Sequence, residues 1–280
     1  MTTPSVLPPS GWYVDPWHIA QWRWWDGHSW TGYTDHWYGS AFGVAAAPIA
    51  PVDDSRPIRA GWLAVGGVVV GIGLSVLVYL VRLWSGIAPG NPLVALAAQF
   101  GLWTGLFGAC VIAVRTHGTG SLRDLGFRVQ WVDLALGLGF GIAALIGVSI
   151  IARLLLALGV EPHRSSLVDP LRRGPLTVVV IVFIAAIGAP FVEELFFRGL
   201  VMSGLVSRWG APIGIIAQAI LFGLVHLVPT DARGNLGVFL IIAPVGAVLG
   251  TLRYGFKRLG PGMFTHAVYN AIIVTVALTR

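Results

Sequence analysis

Charge is scarce in these 280 residues: Asp, Glu, Lys and Arg make up 11% of the chain, against 56% apolar residues and a mean hydropathy of +0.79. So few charges cannot cover a soluble globule of this size, which excludes an ordinary water-soluble domain. Cysteine is nearly absent. The one thiol, Cys110, lies in an apolar run, so neither a disulfide framework nor a thiolate metal cluster can form within one chain. The net charge of +6 comes from Lys and Arg placed mainly between apolar runs, with no basic stripe that would bind nucleic acid. The first 55 residues hold no basic segment followed by an apolar one, so no cleavable signal peptide is expected and the amino terminus is expected to stay cytosolic. Familiar hydrolase signatures are missing too: there is no HExxH, no GxSxG and no clear Cys–His pair.

What is present is a series of apolar runs, at about 61–81, 92–114, 132–157, 176–207, 211–228, 234–252 and 260–278. A bilayer core of about 30 Å needs roughly 20 apolar residues per helical span. The expected fold class is therefore an all-α polytopic membrane protein with about 7 transmembrane helices, preceded by a small Trp-rich module. Alternation of the spans puts nine basic residues on the cytosolic side and six opposite, in keeping with an inward amino terminus. The 176–207 stretch would reach about 48 Å as one straight helix, so a break is expected, and Pro190 after Gly188 is the natural place for it.

Seven of the twelve Trp fall within the first 37 residues, between the turn formers Asp15-Pro16 and Asp26-Gly27. That pattern predicts short strands or a hairpin with a Trp-rich face. The spacing of His18, His28 and His36 matches no metal-ligand pattern. The domain boundaries expected are 1–38 for the Trp-rich cytosolic module, 39–58 for a linker, 59–119 for two amino-terminal transmembrane helices and 120–280 for a further membrane domain.

Ionised side chains inside a bilayer cost at least several kcal/mol each, so Glu193, Glu194 and Arg198 in APFVEELFFRGL need a reason. Glu194 and Arg198 are four apart, about 40° around a helix, and can pair; Glu193 points about 140° from Arg198 and is left without that partner. This predicts a braced carboxylate and a free one able to take a proton from water. A salt-bridged triplet that merely ties helices together is the alternative. The next span places His226 one turn after Phe222, and the last carries His266 and Asn270 at i and i+4, on one face. Taken alone, His226 could be a satisfied core residue, and His266 with Asn270 could be hydrogen-bond glue between helices. Together they supply what peptide hydrolysis needs: a group to activate water, a group to stabilise the oxyanion and a group to protonate the leaving amine. Two mechanisms fit. In one, Glu193, His226 and His266 bind Zn2+, which lowers the pKa of water towards about 7. In the other, Glu193 and His226 activate water directly while His266 and Asn270 hold the oxyanion.

Three motifs in this order, EExxxR at Glu193 to Arg198, FxxxH at Phe222 to His226 and HxxxN at His266 to Asn270, resemble the CAAX prenyl protease and bacteriocin-processing (CPBP, or Abi) family of intramembrane endopeptidases. The resemblance covers about residues 120–278 and includes SLRDLGF at 121–127. It implies an endopeptidase acting near the carboxyl end of membrane-associated substrates, with Glu193 activating water, Glu194 and Arg198 supporting it, and His226, His266 and Asn270 completing the site. Members have been described both as metalloproteases and as metal-independent glutamate proteases. The Trp-rich segment, GWYxDP…RWWDGxxWT, resembles a short domain of unknown function found in bacterial membrane proteins, and its partner is open. The expected location is a bacterial cell membrane, and the expected partners are a protein or peptide substrate and membrane lipid. The competing readings are a proton-coupled transporter, which would not need Asn270 beside His266, and a catalytically silent scaffold, which would need none of these groups. Strict alternation of the spans also sets His226 and His266 towards opposite ends of their helices, which calls for a kinked or re-entrant segment.

Overall fold

The computed structural model describes residues 8–16, 22–35, 57–160, 174–227 and 232–279. Nearly all of the 39–58 linker, together with His18, His36 and His163, lies outside them. The chain divides into two compact units, Met1–Asp54 and Ser55–Arg280.

In the first unit the expected strands are present: β1 (Gly11–Val14), β2 (Trp22–Trp25) and β3 (Trp30–Asp35) form an antiparallel sheet in that order. The turn from β2 to β3 is held by Asp26, whose carboxylate accepts the amide N–H groups of His28 and Ser29 at 2.7 and 2.6 Å. Those two donors hold the Asp26 carboxyl below the usual carboxylate range. Under the sheet, Arg23 donates to Asp15 at 2.7 Å through Nε and to the Thr31 carbonyl at 2.9 Å, so one guanidinium links all three strands.

The second unit is all-α. Its helices are α1 (Pro57–Trp84), α2 (Pro92–His117), α3 (Val132–Ala157), a run Pro175–Leu224, then α6 (Ala232–Phe256) and α7 (Gly260–Leu278). Six of these helices are long and apolar enough to cross a membrane, and the 50-residue run is broken at Gly210, where φ is 78° and ψ 167°. The break divides it into α4 (175–209) and α5 (211–224), which gives the seven rods expected. The protein is thus a polytopic all-α integral membrane protein. Many large apolar side chains on α1 and α3, among them Val69, Leu80, Leu138 and Ile146, are exposed, as lipid-facing surfaces require.

Pro190 does not break α4. The helix passes through it because the preceding turn, Phe183–Gly188, is a π-turn, in which the Ala189 amide reaches back five residues to the Ile184 carbonyl. The wider turn makes room for the ring that would otherwise clash with the preceding turn. A second π-turn, Glu194–Val201, carries the paired charges.

Without a hydrophobic drive between helices in lipid, association depends on close packing of small residues. Gly67 and Gly71 on α1 face Gly105 on α2 so closely that a Cβ on Gly105 would strike the Gly67 carbonyl and the Gly71 backbone, and Gly101 meets the backbone of Leu74 and Ser75. Ser75 adds a 2.6 Å hydrogen bond to the Ala98 carbonyl. Gly137 and Gly141 of α3 meet Phe264 and Val268 of α7 in the same way. The SLRDLGF segment forms a short 3-10 turn, Leu122–Leu125, ended by Gly126 at φ 82°. It is tied to the start of α7: Leu259 N–H donates to Gly126 O at 2.8 Å, and Gly260 N–H to Arg128 O at 3.2 Å. Asp133, fully buried, locks this corner by accepting from Arg258 at 2.7 Å and from the Gln130 amide at 2.8 Å. It therefore pairs inside the protein although it stands near the end of a span.

Gly105→Leu is expected to wedge α1 from α2, a cost of about 1–3 kcal/mol or more. Thermal unfolding of the purified protein in detergent should show a midpoint lowered by several degrees, while Gly108→Leu, whose side chain would enter open space, should leave it unchanged.

Candidate active site

The site is built where the second π-turn of α4 faces α5, α6 and α7. Glu194 and Arg198 are both fully buried and pair at 2.8 Å through Nη1 and Oε1, as the i, i+4 spacing predicts. Arg198 also donates through Nη2 to the Gly246 carbonyl of α6 at 3.3 Å, and its guanidinium carbon sits 4.2 Å from the centre of the Phe222 ring. The charge is therefore compensated by a carboxylate, a carbonyl and an aromatic face, the combination a buried cation requires.

His266, on α7, spans the two glutamates. Its Nδ1 is 3.3 Å from Glu194 Oε1 and its Nε2 is 4.0 Å from Glu193 Oε2. An ionised carboxylate only accepts, so Glu194 fixes the proton on Nδ1 and leaves the Nε2 lone pair turned towards Glu193. Glu193 has 15% of its side chain exposed, and its Oε2 has no hydrogen-bond partner in the protein. The two carboxylates are thus unlike, one held and one free, as the spacing predicts, with an imidazole bridging them.

His226 lies just beyond α5. At about 21 Å this rod is shorter than a bilayer core. Rings of His226 and His266 both meet Phe222 edge-on, with centroids at 4.7 and 5.9 Å, so the two histidines converge on one aromatic ring despite the alternation of spans. The His226 Nδ1 is 2.7 Å from the Phe222 carbonyl, an acceptor, which places the proton on Nδ1 here as well.

Asn270 is not directed at the glutamates. Its amide donates at 2.7 Å to the carbonyl of Ala185 in the first π-turn. In a π-turn that carbonyl would be served by the N–H of the residue five positions on, which is Pro190 and has none. Asn270 supplies the donor that the proline lacks and so clamps α7 to α4 one turn from His266.

Sequence reasoning missed Gln218, Gly246 and Gly262. Gln218 is fully buried and donates at 2.8 Å to the Gly246 carbonyl, the same oxygen that Arg198 uses. Its signal was available: Gln218, Phe222 and His226 stand at successive i, i+4 positions on one face. Gly246 and Gly262 carry no functional group, yet a Cβ on Gly262 would stand 2.9 Å from Glu194 Oε2, and one on Gly246 would meet Phe222 at 3.2 Å. Beside the cluster, α1, α4 and α5 enclose an apolar cleft of about 500 Å³, with Phe196 and Phe197 on its wall. The Phe197 ring touches Phe222 at 5.2 Å. For the zinc reading, Glu193, His226 and His266 offer suitable lone pairs, but among the described residues no three His, Cys, Asp or Glu side chains are grouped to hold a metal ion.

Fold and site together define a multi-pass membrane protein with a buried Glu–Arg–His cluster. Residues 175–272, which contain all six residues singled out from the sequence, match the family described as type II CAAX prenyl endopeptidase Rce1-like, and this bears out the resemblance drawn from the three motifs. The match points to an intramembrane protease of the CAAX type. No curated protein and no solved structure gives a significant match.

Two outcomes test this geometry. Arg198→Ala leaves Glu194 buried without its cation and is expected to destabilise the protein by about 3–5 kcal/mol, read as loss of folded protein in detergent melts. Asn270→Leu is expected to cost about 1–3 kcal/mol by orphaning the Ala185 carbonyl. In a Pro190→Ala background, where a backbone N–H is restored, that cost should shrink by about 1 kcal/mol in a double-mutant cycle.

Proposed function

We propose that the chain is an endopeptidase that hydrolyses peptide bonds of membrane-associated or lipidated protein substrates, with water activated by Glu193 and His266. The observation that carries this reading is the unpartnered Glu193 Oε2 set 4.0 Å from His266 Nε2. A water of ordinary hydrogen-bond length, about 2.8 Å from each, bridges two acceptors at that separation. The water oxygen attacks the substrate carbonyl carbon as its proton passes to Glu193. The carbonyl π pair moves onto oxygen, the C–N bond then breaks, and the proton held by Glu193 goes to the leaving amine. Glu194, braced by Arg198, keeps His266 in the tautomer that accepts from water, a role equivalent to the carboxylate behind a catalytic histidine. His226 lines the other side of the Phe222 ring and, when protonated, is the donor available to the oxyanion. Asn270 acts mainly through its hold on α4, since one of its two N–H groups serves Ala185.

On this proposal water is activated without zinc, since among the described residues the candidate ligands are not grouped as a metal site. In this reading residues 120–280 form the catalytic membrane domain behind the two helices of 59–119, and the apolar cleft beside Phe197 receives an apolar stretch of substrate or lipid.

Glu193→Ala is expected to lower cleavage of membrane-extracted proteins by about 100- to 10,000-fold, the usual share of a general base. Mass spectrometry of new carboxyl termini is the readout, and identical fragments from wild type and variant would sink the protease reading. Activity should survive complete metal removal, checked by metal analysis of the chelated protein; loss with chelation and return with Zn2+ would restore the metal mechanism.

A further inference from the structure

The sheet of the amino-terminal unit has two unlike faces. Trp12 and Trp24, directly opposite across β1 and β2, pack edge-to-face at 5.6 Å on one side. Tyr13, Trp25 and Trp30 cluster on the other, with centroid distances of 6.0 Å for Tyr13–Trp30 and 5.3 Å for Trp25–Trp30. Gly11, opposite Trp25, adds no side chain to this face.

The second face carries a strand of the chain's own prolines. Trp25 Nε1–H donates to the Pro8 carbonyl at 2.9 Å, and Tyr13 O–H donates to the Pro9 carbonyl at 2.8 Å. Two aromatic side chains thus read two consecutive carbonyls of a Pro-Pro pair. Proline has no N–H to satisfy and a φ fixed near −65°, and a residue before proline is pushed to extended backbone. A Pro-Pro segment therefore presents a preformed rod whose carbonyls point outward with no internal partners. Aromatic grooves with one or two N–H or O–H donors are the chemistry that recognises such rods.

We propose that the Tyr13–Trp25–Trp30 face is a docking groove for a proline-rich extended segment of a partner protein, and that Pro8 and Pro9 occupy it as an internal placeholder. A weak intramolecular occupant lowers the apparent affinity of the groove by the fraction of molecules in which it is seated, so removing it tightens binding without any new contact. The proposal is independent of the protease reading.

The test uses the full-length protein in detergent micelles and a fluorescein-labelled octaproline peptide, followed by fluorescence anisotropy. Saturable binding is expected, tightened at least about fivefold by deletion of residues 2–9 and by the double substitution Pro8→Ala with Pro9→Ala. Tyr13→Phe with Trp25→Phe leaves an aromatic ring at both positions and removes both donors, and should weaken binding at least about tenfold. The indole N–H resonance of Trp25 in the wild type should shift on adding peptide, a reading that does not depend on any variant folding. No saturable binding and no indole shift would overturn the proposal, as would equal binding of an octa-alanine peptide. Self-association of the wild type that disappears on deletion of residues 2–9 would also overturn it, by making a second copy's prolines the occupant.

Discussion

The paired charges Glu194 and Arg198 carry a constraint that propagates through the membrane unit. Two fully buried ions in an apolar bundle must have their charge covered by each other and by nearby polar or aromatic groups. Arg198 therefore calls for the Gly246 carbonyl and the Phe222 face, which fixes α5 and α6 against α4. Glu194 calls for a donor, which is His266, and that fixes α7. The small residues at 246 and 262 follow from the same demand, since backbone must come close where charge has to be covered. In this view the pair contributes little net stability of its own and much definition, because any slip in helix register leaves a charge exposed to hydrocarbon.

Much of this was legible in the sequence, for a physical reason. In an apolar span a polar side chain stands out, so Glu193, Glu194, Arg198, His226, His266 and Asn270 could be singled out one by one. Span limits were equally plain, and the separation of α4 from α5 near Gly210 follows from hydropathy alone. What could not be seen were features that depend on shape. The π-turns have no sequence signature, so Pro190 suggested a break where the helix in fact widens and continues. The bond from Asn270 to Ala185 follows only once that widening is known. Gln218 was readable as a buried amide but carries no charge and drew less notice, and the glycines of α1 and α2 acquire meaning only when their partners are in place.

The amino-terminal sheet and the membrane bundle meet one problem with the same residue type. The small sheet buries Asp15 and Arg23 together as an ion pair, because so short a unit has little other core. The bundle keeps the rings of Phe197 and Phe222 beside Arg198, where they stand in for the water that a guanidinium would otherwise hold. Both units thus centre on an arginine whose planar, always-charged head can be wrapped without losing its proton.

The two π-turns also bear on how this chain can change in length. Each holds one residue more than an α-turn would, and between them the α-helical stretch Ala189–Glu193 ends on Glu193, with Glu194 beginning the second. Insertion or loss of a single residue anywhere from 183 to 201 would turn all later side chains by about 100°, one α-helical step. Substitutions in that stretch can be graded, each altering one contact, but a change in residue number is all-or-none. The segment is thus a fixed ruler between Ala185 and Arg198, whereas the connections outside it are free to lengthen and shorten.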